Sequence, residues 1–95
     1  MDFIELFNGV VTLAKPVTAS SSFAKDKTDE LESLDLDSLD TIMLSMYFGE
    51  IYGIEEDVMK TMGEEAKTIE GLQGFLESRK TRTPTSVAEA LAEVK

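Results

Sequence analysis

The sequence predicts an all-α protein: three substantial helices, one short helix between the second and third, and a further short helix at the C-terminus. Three observations carry this. Apolar residues recur at helical spacing along residues 2–14, 38–53 and 68–78. Good N-cap residues, and Pro or Gly at the far ends of the first two, bracket those stretches. No segment alternates with the period of two that a half-buried strand would show. The chain has 95 residues, of which 42% are hydrophobic, enough for one modest core and one domain.

The first helix, "DFIELFNGVVTLA", places apolar side chains at 3, 4, 6, 7, 10, 11, 13 and 14, a wide stripe that Asp2 begins at the positive end of the helix dipole. Pro16 ends it, because the residue before a proline avoids the helical region. Residues 16–30 show no sustained period and read as a long loop, with Phe23 expected to pin its middle to the core. Long ordered loops in small domains tend to be functional.

The second helix starts at residues 37–38. Asp37 is a good N-cap, and Asp40 stands where a capping box would use Glu. Gly53 is its expected stop. Leu44, Phe48 and Tyr52, with Ile51 alongside, form a stripe suited to the core. Leu39, Ile42 and Met46 form a second stripe rotated away from it, widened by Met43 and Tyr47. In so small a protein one helix cannot easily bury both sides, so part of this surface is expected to stay exposed as a binding face. The plainer reading is a central helix surrounded by the others.

Residues 54–67 read as a loop holding one short helical turn, with Ile54, Val58 and Met62 inward. Thr68 then caps the last core helix, whose inward face is Ile69, Leu72, Phe75 and Leu76. Its glycines, Gly71 and Gly74, cost about 1 kcal/mol each against alanine, and close helix contact is the expected reason for them. Residues 1–78 make up the expected bundle domain; 79–95 are an extension. It comprises the basic linker "RKTRTPT" and "SVAEALAEVK", a helix with a Ser86–Glu89 capping box and apolar Val87, Leu91 and Val94. Alone that helix is too short to be stable, so it either docks or frays.

Charge and absences narrow the function. Nineteen acids against nine bases give −10, and residues 26–70 hold most of the acids against only Lys27, Lys60 and Lys67. Such a surface repels nucleic acid and anionic lipid and favours partners with Lys/Arg patches, although acidity also simply aids solubility. There is no His and no Cys, which excludes Ser-His and Cys-His nucleophile pairs, disulfides and thiolate metal sites. A non-enzyme is the expectation. Asp2 and Glu5 stand where a secretory signal would carry lysines, and no run is long enough to span a bilayer. A cytoplasmic monomer without stable membrane insertion follows as the expectation.

One stretch remains to be explained: "DLDSLD", a single hydroxyl among acids at the head of the second helix. Calcium does not explain it. An EF-hand loop from Asp35 would need Asp or Asn at 39, Gly at 40 and Glu at 46, where the chain has Leu39, Asp40 and Met46. A bare cap is sufficient for structure, and Asp-Ser-Leu would occur by chance in about 3% of chains this long. A modification site is the third reading. A hydroxyl at a helix start is accessible, and a phosphodiester there faces the free N–H groups of the first turn.

"LESLDLDSLDTIMLSMYFGEIYGI", residues 31–54, resembles the modification-site helix of acyl carrier proteins, and "TIEGLQGFL", residues 68–76, is similar to their final helix. The resemblance spans roughly residues 2–78 and implies an acyl-carrier-type helical bundle. It implies that Ser38 carries 4′-phosphopantetheine, with Asp37 and Leu39 flanking the attachment point. A phosphopantetheinyl transferase would add the group from coenzyme A, with Mg2+ needed only for the transfer. Leu39, Asp40, Ile42, Met43, Met46 and Glu50 fall at partner-contact positions. Leu44, Phe48, Tyr52, Ile69 and Leu72 would line an acyl cavity. The implied role is to hold acyl intermediates as thioesters and present them to acyl-transferring or ketosynthase-type enzymes of fatty acid, lipid or polyketide-type biosynthesis.

Departures from that family's pattern point to a specialised member. Asp35 stands where the family commonly has Gly, Met43 where it has an acid, and Glu55 where it has Pro. The segment before the last helix is about two residues longer than usual, and residues 79–95 are extra. The alternative is a non-carrier helical adaptor that binds partners through the Leu39/Ile42/Met46 face.

Overall fold

The computed structural model describes residues 2–94, and their regular structure is helical throughout. Helix α1 spans Phe3–Ala14 and is capped by Asp2, whose carboxylate accepts from the Ile4 N–H at 2.9 Å and the Glu5 N–H at 3.4 Å. Phe3, Leu6, Phe7, Val10 and Val11 are its buried stripe. Lys15, forced out of the helical region by Pro16, ends it.

The segment after α1 is more ordered than the sequence predicts, with 3₁₀ turns at Ala19–Ser22 and Leu31–Leu34. Its anchors are Ala19, Ser22, Ala24 and Leu34, not Phe23, which is 37% exposed. Asn8 explains the correction. Its side-chain amide bonds both backbone groups of Ala24, at 2.8 and 3.0 Å, and draws that residue inward. Phe23 is extended, so its side chain points the opposite way from its neighbour's. The end of the loop is fastened to residues 67–70. Leu31 N–H donates to Lys67 C=O at 2.9 Å and Ile69 N–H to Asp29 C=O at 3.0 Å, forming a single bridge and no strand among the described residues.

Helix α2, Ser38–Tyr52, is the longest and buries Leu44, Phe48, Ile51 and Tyr52. The Phe48 ring stacks on those of Phe3 and Phe7, with centroids 5.9 and 6.2 Å away. Gly53, at φ 64°, ends the helix in the left-handed conformation where glycine is cheapest. Two short helices follow instead of one: α3, Glu56–Met59, and α4, Met62–Glu65. Ile54 and Met62 are buried as expected, but Met59 is the buried residue of α3 while Val58 is half-buried. Met59 takes the inward place because it lies against Gly49 of α2, where no side chain stands in its way.

Helix α5, Ile69–Arg79, is capped by the Thr68 hydroxyl, which accepts from the Gly71 N–H at 3.0 Å, and buries Ile69, Leu72, Phe75 and Leu76. Its glycines do not serve helix contact: a methyl at Gly74 would meet nothing within 4 Å, and one at Gly71 would meet only the cap and Ala66. Gly9 does, as does Gly49, where a methyl would lie 3.2 Å from Met59 Cγ of α3. A methyl at Gly9 would lie 2.6 Å from Leu91 Cδ1 of helix α6, Val87–Val94.

Helix α6 docks rather than frays. It packs on α1 and α2, buries Ala90 completely, and adds Val87, Leu91 and Val94 to the core edge. Its capping box forms by half: Ser86 Oγ accepts from the Glu89 N–H at 3.1 Å, while the Glu89 carboxylate accepts from Thr85 instead. The linker also caps α2, since the Thr81 and Arg82 N–H groups donate to Tyr52 C=O at 2.9 and 3.2 Å. Residues 80–94 are thus part of the bundle's packing.

Candidate functional site

The head of α2 holds the residues that the sequence singled out. Asp37 Oδ1 accepts from the Asp40 N–H at 2.8 Å, and Asp40 Oδ2 accepts from the Asp37 N–H at 3.2 Å, which completes the capping box. Ser38 is the first helical residue and is exposed. The box uses the N–H groups of Asp37 and Asp40. Those of Ser38 and Leu39 remain to face an anion, at the positive end of a fifteen-residue helix.

The turn before the cap explains one departure from the acyl-carrier pattern. Asp35 has φ 54° and ψ 47°, the left-handed region where glycine costs least. A glycine at that place in the resembling family therefore has a physical reason, and here an aspartate adopts the same conformation. Lys15 Nζ donates to the Asp35 carbonyl at 3.0 Å and to Ser22 Oγ at 2.9 Å, and lies 3.3 Å from Asp40 Oδ2. Ser22 Oγ in turn donates to the Asp35 carbonyl at 2.9 Å.

Along α2 the expected partner-contact residues divide. Leu39, Ile42 and Met46 are 65%, 55% and 55% exposed, and α6 leaves them open. Glu50 is exposed beside them and Met43 is half-buried. Tyr47, expected to widen this stripe, packs against the core instead. Asp40 also turns inward. Its side chain is 15% exposed and tied to Lys15 and the cap, so it is no free charged contact.

Two largely apolar spaces lie along α2. One is a cavity of about 150 Å³ lined by Phe7, Leu31, Leu36, Thr41, Leu44 and Leu72, among others. The other is an open groove of about 710 Å³ between α2 and α3–α4, whose apolar wall is Ile42, Met46, Ile54, Met59 and Met62 and whose lining also includes Glu50, Glu56 and Lys60. Thr41, Met62 and Gly63 border both. Thr41, Ile42 and Ser45 follow Ser38 by three, four and seven residues, so the groove runs down the helix face that Ser38 heads.

Of the five residues expected to line an acyl cavity, Leu44 and Leu72 line the smaller space. Phe48, Tyr52 and Ile69 line neither. They are packed core, Phe48 because the rings of α1 stack on it. Burial also pushes the Tyr52 phenol up to about 12, with Glu77 adding to the shift. Sequence reasoning missed Thr41, Met59, Lys15 and the site role of Met62. The two methionines had a signal, being flexible thioethers at i, i+3 beside a helix break. Lys15 had none, since its partners lie 7, 20 and 25 residues on.

Among the described residues no group of three or more acidic side chains could hold a metal ion. No helix of the described chain is long and apolar enough to cross a membrane. Comparison with known protein families, with curated proteins and with solved structures finds no match for this chain.

Proposed function

We propose that this chain is a specialised acyl carrier protein that bears 4′-phosphopantetheine on Ser38 and catalyses nothing itself. The observation that carries the reading is the setting of Ser38. It is an exposed hydroxyl in the first turn of α2, beside two unpaired N–H groups, at the head of a face that opens onto an apolar groove. The residues present fit the group. A phosphodiester on Ser38 would meet the Ser38 and Leu39 N–H groups, and nothing on the described surface blocks the hydroxyl. Bound there, the group supplies the thiol that a cysteine-free chain lacks, on which acyl groups are held as thioesters.

The chain's own residues do the rest. Ile42, Met46, Met59 and Met62 offer apolar surface that can shelter part of an acyl chain near its attachment point. Leu39, Ile42, Met46 and Glu50 present an apolar, acid-edged face to partner enzymes with basic patches, such as the transferase and acyl-transferring or ketosynthase-type enzymes. Mg2+ would act during the transfer only. Asp40 is committed to Lys15 and the cap and Asp37 alone is too few to hold it, so its ligands would come chiefly from coenzyme A and the transferase.

The test is intact mass before and after incubation with coenzyme A, Mg2+ and a broad-specificity phosphopantetheinyl transferase, with Ser38→Ala alongside. The expected result is a gain of one phosphopantetheine in the parent and none in the variant. No gain with several transferases would move the helical adaptor to first place. The exposed Leu39/Ile42/Met46 stripe supports that second reading, under which Ser38→Ala keeps partner binding.

A further inference from the structure

We infer that Lys15 is a positioning residue for Ser38: an ammonium at the end of α1 holds the turn at Asp35 and the cap of α2 in one arrangement, and transfer to the hydroxyl depends on it. The inference rests on the carrier reading above.

An ammonium has three hydrogens and no lone pair. Lys15 directs its group at three acceptors from three different segments: Ser22 Oγ in the first 3₁₀ turn, the Asp35 carbonyl, and Asp40 Oδ2 within α2. The side chains of Lys15 and Asp40 are 12% and 15% exposed, so water competes weakly for this pair. Ser22 is fully buried, and its hydroxyl accepts from Lys15 while donating to the Asp35 carbonyl. Two donors therefore converge on the carbonyl of the one non-glycine residue with positive φ among the described residues.

The placement matters because Asp35 lies two residues before the N-cap and three before Ser38. Its left-handed conformation sets the direction in which the chain enters α2. A glycine would reach that conformation freely; an aspartate needs surrounding contacts to hold it. One oxygen of Asp40, Oδ2, meets Lys15 and accepts from the Asp37 N–H, so the lysine also fixes the oxygen that makes the returning half of the capping box. Removing the ammonium leaves the Asp35 carbonyl with one donor and a nearly buried carboxylate with no cation. The segment 35–37 is then free to relax, and Asp37 and Ser38 move with it. A displacement of about 1 Å at a reacting atom lowers a rate by up to about a hundredfold.

The test measures kcat/KM for phosphopantetheine transfer to the full chain, comparing the parent with Lys15→Met and Lys15→Arg. Amide hydrogen exchange at Asp37 and Asp40 is followed beside that of Leu44–Tyr52. Lys15→Met is expected to lower kcat/KM at least about tenfold. The Asp37 and Asp40 amides should lose protection while the helix interior keeps it, and Lys15→Arg should recover most of the rate. If Lys15→Met does not fold, Lys15→Gln, which keeps Asp35 and removes the charge, takes its place in the same comparison. Parental transfer by folded Lys15→Met or Lys15→Gln overturns the inference, whatever its exchange pattern. If the parent itself accepts no phosphopantetheine, the carrier reading fails, and the exchange data alone decide whether Lys15 holds the cap.

Discussion

Leu44, Phe48, Ile51 and Tyr52 on one side of α2, and Leu39, Ile42 and Met46 on the other, are of similar apolar character. The first four are nearly inaccessible and the last three are more than half exposed. The difference lies in the neighbours. The buried side faces α1, whose Phe3 and Phe7 meet Phe48. The chain has a spare amphipathic helix, α6, and places it against α1 and α2 without covering the open stripe. Fifteen more residues of ordered chain thus leave the exposed face of α2 as it was, an arrangement suited to a face kept for another molecule.

The sharpest way to break this comparison is to truncate one residue on each side. Phe48→Ala should lower stability by about 3–5 kcal/mol in urea unfolding, because it empties the stack between α1 and α2. Met46→Ala, two residues away, should change it by less than about 0.5 kcal/mol. Equal effects would mean that the open stripe is covered in solution.

Gly9→Ala tests whether α6 belongs to the buried side. The new methyl would push the tip of the half-buried Leu91 side chain aside, so most of the roughly 1 kcal/mol that alanine gains over glycine in a helix should be lost, and Leu91→Ala in the same chain should give it back. A frayed α6 would make Gly9→Ala slightly stabilising instead, by the usual helix preference for alanine. Asp37→Ala removes the N-cap and should cost about 1 kcal/mol, while Ser38→Ala leaves the box and the stability intact. The smallest effect is a pH dependence on the buried side. The Tyr52 phenol is raised from its ordinary value near 10 to about 12, so folding favours the neutral form. Its contribution is fully present below about pH 10 and is lost as pH rises from there through about 12. Thermal melts should show this alkaline decline shrinking in Tyr52→Phe.

Residues whose role depends on near neighbours were readable in the sequence. The spans of the three long helices, the Asp37–Asp40 box, the stop at Gly53 and the split of α2 into two stripes all follow from spacings of three to eight residues, and each stands in the structure. Expectations failed where a distant group decided the outcome. Phe23 faces outward because Asn8, fifteen residues earlier, claims the backbone of Ala24. Tyr47 and Asp40 turn toward the core and Lys15, although their helical positions alone allowed a surface role. Phe48 and Tyr52 have the periodicity of cavity residues, but periodicity does not distinguish a wall from a filled interior.

The sequence by itself determined an all-helical chain of strongly negative charge, the place of Ser38 at the head of the longest helix, and the chemistry closed to a protein without His or Cys. Local hydrogen bonding and side-chain periodicity suffice for these, since each acts within one or two turns of helix. Tertiary structure alone decided which apolar face stays open and where α6 rests, and it brought Lys15 to Asp35 and Asp40. Those outcomes depend on which surfaces meet once the helices pack, and packing joins residues with no fixed spacing along the chain.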